Sequence, residues 1–156
     1  MIAKDNPGVY IPPPLIYVAV FVIAVFLQKK TGIDHSLFKT RSILFTSIFF
    51  FALALYFMIR SLNQFIRTKN TVVTIKAAES LQIKGIYKTT RNPMYVGLVL
   101  VYLGLTCLIG NWWNIILLPL LLLVVLEYVI KHEEKYLARK FGNEYMDYRQ
   151  HVRRWL

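Results

Sequence analysis

A chain of 156 residues is one domain long, and with 56% of it hydrophobic under a formal net charge of +11 it is not an ordinary soluble globule. The lone Cys107 excludes an intramolecular disulfide and a thiolate metal site, and His35, His132 and His151 lack metal-ligand spacing, so no metal is expected. The excess of Lys and Arg has two explanations, a phosphate footprint for nucleic acid or the basic face of a membrane protein.

The apolar residues fall in four runs, 15–27, 43–59, 95–109 and 112–130. A helix needs about 20 apolar residues to cross a bilayer, with about 17 as the lower limit. The second and fourth runs meet that, and the first does with its interfacial flanks. The third is short, so it crosses at a tilt or is continued by Trp112 and Trp113. Pro7-Gly8 and Pro12 to Pro14 make a stiff, non-helical entry to the first run. No small-residue cleavage site follows that run; Gln28-Lys29-Lys30 does, so it is expected to remain as a helix. Thr31-Gly32-Ile33-Asp34 reads as a turn into the second helix.

The expectation is an all-α integral membrane bundle of about four transmembrane helices. It forms one domain: an N-terminal hairpin over 11–60, a loop over 61–92, a second hairpin over 93–131 and a tail over 132–156. Within the loop, 71–75 is β-branched and reads as briefly extended. The fourth helical pattern runs on through Lys140, and Phe141-Gly142 marks its end. Asn143 reads as the N-cap of a last short helix, with Tyr145, Tyr148 and Val152 on one face. The tail is expected to be two amphipathic helices on the membrane surface. Four crossings put 15 of the 19 cations on the side of both termini and the 61–92 loop, leaving Lys29, Lys30, Lys39 and Arg41 opposite. Positive-inside topology therefore accounts for the charge, places both termini in the cytoplasm and leaves no need for nucleic acid.

Two constellations could carry chemistry. In Arg91-Asn92-Pro93-Met94-Tyr95, proline suits the first helical position and Asn92 reads as the N-cap of the third helix. A helix N-terminus beside a permanent cation suits a carboxylate or phosphate. The same residues also describe a plain capped helix with an interfacial Arg and Tyr. In the second, Ile130, Glu134, Leu137 and Phe141 form one helical stripe, an apolar face carrying a carboxylate, and Glu127 is assigned to that face nearer the membrane. Pairing with Lys131, Lys135 or Arg139 is the plainer reading for Glu133. Gly97 and Gly104 are expected to let the third helix pack closely on the fourth. Tyr136, Tyr145 and Tyr148 read as interfacial belt residues.

In order and spacing, Gly85-x-Tyr87, Arg91-Asn92-Pro93-Met94-Tyr95-Val96-Gly97, an apolar hairpin, then Glu133-Glu134-x-x-Leu137-x-x-x-Phe141-Gly142-x-x-Tyr145-x-x-Tyr148 resemble the isoprenylcysteine carboxyl methyltransferase and phospholipid N-methyltransferase superfamily. The resemblance covers 81–152. It implies S-adenosylmethionine as cofactor, S-adenosylhomocysteine as product, and a lipophilic acceptor met in the bilayer. It places cofactor contacts at Gly85, Tyr87, Arg91, Asn92, Tyr95, Glu133 and Glu134. Catalytic roles fall to Arg91, Glu134 and Tyr95: Glu134 for the ribose or amino group, Arg91 for a carboxylate, and Glu134 or Tyr95 for the proton of an amine acceptor. The cofactor is expected to enter from the cytoplasm, and the acceptor sideways between the third and fourth helices. The sequence departs from the family at Asn92, where His is common, and in a tail without prolines; the N-terminal half matches no motif. A membrane reductase of the sterol-reductase type, using NADPH, and a non-enzymatic membrane subunit are the alternatives.

Overall fold

The computed structural model describes residues 6–68 and 79–156 and is all helical over them, with no strand. The extended stretch expected at 71–75 lies outside the described residues. Six helices follow in order: α1 (Pro13–Thr31), α2 (Arg41–Arg67), α3 (Pro93–Ile109), α4 (Trp112–Val124), α5 (Lys131–Phe141) and α6 (Asn143–His151). Short 3₁₀ turns at Ser36–Lys39 and Gly85–Lys88 precede α2 and α3, and a π turn at Val125–Ile130 joins α4 to α5.

The ends of these helices follow local chemistry. Proline opens both α1 and α3, where its missing N–H costs nothing. Thr40 and Asn111 cap α2 and α4, accepting from the backbone N–H of Ile43 and Asn114. Gly110 closes α3 at φ +73°, and a Cβ there would come within 2.9 Å of Phe38, so both backbone and space require glycine. α2 runs to Arg67, past the boundary expected at 60, because Leu62, Phe65 and Ile66 continue the apolar helical pattern. Gly142 ends α5 as expected, but it also flanks α6, so Asn143 is the first helical residue and not the cap.

Three helical stretches are long and apolar enough to cross a membrane: α1, α2, and the continuous helix Trp112–Phe141. α3, at 17 residues, is apolar but shorter, rising only about 26 Å. Phe26, Phe45, Phe49, Leu55 and Leu123 stand exposed on the outer faces, the surface a bilayer would cover. The 13 residues of α4 and the 6 of the π turn rise about 28 Å, roughly one hydrocarbon thickness, so the charged turns of α5 lie beyond the apolar span.

The helices pair as α2 with α3 and α1 with α4; α3 and α4 touch only lightly. This corrects the expected role of Gly97 and Gly104. Gly97 lies against Ala54 and Met58, and Gly104 against Phe51, all on α2. The bare backbone of Gly104 also brings its carbonyl within reach of Ser47, whose hydroxyl donates to it at 2.9 Å. Large side chains on α2 fill the notches that glycine leaves on α3, and this places α2, not α4, against that face.

One buried cluster joins Val9, Tyr17, Tyr95, Tyr102, Leu121, Val125, Val129 and Ile130; a second joins Phe57, Ile86, Tyr87 and Val96. Trp155 packs against both. At one end of the bundle, the backbone N–H groups of Tyr10 and Ile11 donate to the Tyr128 hydroxyl, fixing the entry of α1 beside the π turn. At the other end, Trp112 and Trp113 donate to Asp34 and Thr31.

Candidate active site

The turn before α3 is built to receive the end of the chain. Gly85 sits at φ +63° and lets the segment turn inward, burying Ile86 and Tyr87. The Tyr87 hydroxyl meets Ser61 of α2 at 2.7 Å, and its carbonyl accepts from the Tyr148 hydroxyl at 2.6 Å. Thr90 is fully buried and donates to the Arg154 carbonyl at 3.1 Å. The Arg91 N–H donates to the Arg153 carbonyl, and the Asn92 side-chain amide to the Arg154 carbonyl, both at 2.9 Å. Asn92 occupies the N-cap position but its side chain makes no cap bond, because the last turn of chain has claimed it.

Two carboxylates on the first turn of α5 meet this platform in different ways. Glu134 accepts a forked pair of bonds from Arg154, at 2.8 and 2.9 Å, and lies 3.0 Å from Arg91. Arg91 also donates to the Tyr145 hydroxyl at 3.1 Å. The Arg91 and Glu134 side chains are only 9% and 12% exposed, so the pairing occurs largely away from water. Burial alone would raise the Glu134 carboxyl. The Arg154 bonds and the charges of Arg91, Arg154 and Arg149 outweigh it and hold the group below the usual carboxylate range.

Glu133 lies on the other side of the helix and accepts from the Tyr95 hydroxyl at 2.7 Å. The residue as a whole is partly exposed, but its carboxyl end is enclosed. Burial pushes that carboxyl up to about 7; the Tyr95 bond opposes the rise and the Glu134 charge adds to it. One turn of helix thus carries a carboxylate fixed in its charged form and a second poised near neutrality.

The structure brings together Tyr87, Arg91, Asn92, Tyr95, Glu133 and Glu134. Gly85 faces Gln64 and lines a polar cleft with Arg60, Asn63, Gln64, Arg67 and Ile86. Glu127 does not join the centre. It is exposed and paired with Lys131 one turn on. Three contributors were not legible as site residues: Tyr145 and Tyr148, whose shared face is visible in their spacing but whose targets are not, and Arg154, a tail cation without a motif. At this centre a buried polar atom is left over: Arg91 Nε has no hydrogen-bond partner among the described residues.

Among the described residues the chain is an all-helical apolar bundle with membrane-length helices, and an Arg91–Glu134–Arg154 ion-paired centre lies at one end. The particular family follows from comparison: the phospholipid methyltransferase family matches residues 42–144, and the chain belongs to it. Over 66 residues it is 44% identical to an uncharacterized protein of Haemophilus influenzae, covering 40% of this chain and all of that protein. Over 68 residues it is 40% identical to the protein-S-isoprenylcysteine O-methyltransferase of Schizosaccharomyces pombe, covering 44% of this chain and 29% of that enzyme. No solved structure matches the chain.

Proposed function

We propose that this protein transfers a methyl group from S-adenosylmethionine to a lipophilic acceptor, at the centre between the 85–92 turn and α5. The observation that carries this reading is Arg91: buried, held by Glu134 and Tyr145 through one nitrogen, and left with an unpartnered Nε. A buried guanidinium N–H without a partner is costly, and an arriving carboxylate such as the cofactor's satisfies it. Glu134 fits as well. Its two oxygens offer about four lone-pair sites; Arg154 donates to two and Arg91 pairs with the group by charge at 3.0 Å, leaving room for a ribose hydroxyl or an amino group. Tyr87 and Asn92 hold the platform, and Tyr95 and Glu133 border it.

When bound, the cofactor supplies an electrophilic methyl group on a sulfonium. The protein's share is to hold donor and acceptor in line and exclude water. A carboxylate or thiolate acceptor attacks without losing a proton. An amine must lose one, and Glu133 is the better base: its carboxyl is pushed up to about 7 by burial, whereas Glu134 is committed to two arginines. Both termini are assigned to the cytoplasm by the basic face, with the bilayer supplying the acceptor.

Calorimetry of detergent-purified protein with S-adenosylhomocysteine tests the reading. Wild type is expected to bind, and Arg91→Ala and Glu134→Gln to weaken binding by about tenfold or more each. Folded protein that binds NADPH but not S-adenosylhomocysteine would overturn it.

A further inference from the structure

Tyr17 lies in the second turn of α1, in the half of the chain that carries no recognisable motif and outside the segment matched by the family. It is 5% exposed, and its hydroxyl has no hydrogen-bond partner among the described residues. The other tyrosines of the interior are satisfied: Tyr87 by Ser61, Tyr95 by Glu133, Tyr102 by Asn114 and Tyr145 by Arg91. An unpaired buried phenol is destabilising, and phenylalanine would fill the same volume without that cost. The hydroxyl therefore calls for a partner.

Its surroundings indicate which kind. Tyr17 belongs to the same buried cluster as Tyr95, Val125, Val129 and Ile130, and its ring meets Tyr102 edge-on at 6.4 Å. Tyr95 lies within its electrostatic reach, and Tyr95 is the residue that holds Glu133. The entry of α1 is fixed at Tyr128, so Tyr17 stands further along α1 from that entry, on the apolar side of the Tyr95–Glu133 pair. On the methyltransferase reading a polar cofactor would occupy Arg91 and Glu134. A group lodged among Val125, Val129 and Tyr102 must be the polar end of an otherwise apolar molecule.

We infer that the Tyr17 hydroxyl is the acceptor subsite: it donates a hydrogen bond to a carboxylate on the reacting head of a lipophile, or accepts one from the N–H of an uncharged amine, whose single lone pair stays free for the methyl group. This rests on the methyltransferase reading above. Tyr17 gives up no proton; it orients the head while the acceptor lone pair forms the new bond to the methyl group and the sulfur keeps the electrons of the broken bond.

Tyr17→Phe removes the hydroxyl alone. Full-length wild type and variant are compared in detergent with two probes, a farnesylated cysteine bearing a free carboxylate and phosphatidylethanolamine. In the variant, KM for the methylated probe is expected to rise about tenfold, with kcat and S-adenosylhomocysteine affinity within about twofold and Tm equal or higher. Raised Tm with unchanged KM would mean the hydroxyl is only a structural orphan, and a matching loss of S-adenosylhomocysteine affinity would move Tyr17 to the cofactor; either overturns the inference. So does wild type that binds S-adenosylhomocysteine but methylates neither probe. Wild type that binds no S-adenosylhomocysteine sinks the methyltransferase reading itself.

Discussion

Adjacent carboxylates at Glu133 and Glu134 are pushed in opposite directions, and this fixes how the protein responds to pH. Burial raises the Glu133 carboxyl from its ordinary value of 4.5 to about 7 in the folded chain. Between those values the folded chain holds a proton that the unfolded chain has released. Its contribution is therefore fully present below 4.5 and is lost as pH rises through about 7. Glu134 has the opposite sign: its contribution is present above its unfolded value and is lost as pH falls through the lowered folded one. Glu133→Gln keeps an acceptor for Tyr95 but cannot ionise. Thermal unfolding in detergent should show its Tm, relative to wild type, improving from pH 5 to pH 8. A difference that stays constant across that range would mean Glu133 is not buried in its charged form. At this scale the motif residues Arg91, Asn92, Tyr95, Glu133 and Glu134 were legible because they cluster in two short stretches. The division of labour between the two carboxylates was not, since it depends on Arg154, 20 residues from Glu134 in sequence but bonded to it through both oxygens.

Between elements, the glycines of α3 show what periodicity can and cannot give. The apolar runs located every long helix, and Gly97 and Gly104 marked a close-packing face. Which neighbour fills that face depends on the shapes of side chains on the other helices, and Phe51 and Met58 decide for α2. The π turn escaped the sequence in the same way: nothing in Val125–Ile130 distinguishes it from α-helix by composition, and Glu127 within it pairs with Lys131. The α2–α3 seam is testable. A Cβ on Gly104 would meet the Phe51 ring at 3.0 Å, tighter than most side-chain contacts, so the ring would have to give way by a few tenths of an ångström. Gly104→Ala should destabilise the protein by about 1–3 kcal/mol through overpacking. Phe51→Leu, which shortens the opposing side chain, should recover part of that loss in the double variant. Additive losses, measured by a double-mutant cycle in detergent, would place another helix against Gly104.

Across the whole molecule, the candidate site depends on closing the chain upon itself. Residues 152–155 lie beside the 89–92 turn, where the carbonyls of Arg153 and Arg154 receive Arg91, Thr90 and Asn92, the Arg154 fork grips Glu134, and Trp155 touches both buried clusters. No local pattern foretold this strap, because its bonds are mostly backbone carbonyls, which every residue has. Two variants separate charge from closure. Arg154→Ala removes the fork but keeps both carbonyls and Trp155, so Glu134 retains Arg91 and the platform stays assembled. Ending the chain after His151 removes the fork, both carbonyls and the partly buried Trp155 ring that packs on both clusters. The truncated protein should therefore lose far more Tm than Arg154→Ala and should fail to bind S-adenosylhomocysteine, while Arg154→Ala binds it more weakly. Equal losses in the two variants would reduce the strap to the single charge of Arg154. The expected inequality would show that residues 152–156 reinforce, as a unit, the direct Tyr95–Glu133, Arg91–Glu134 and Tyr148–Tyr87 bonds that hold the two ends of the family motif together.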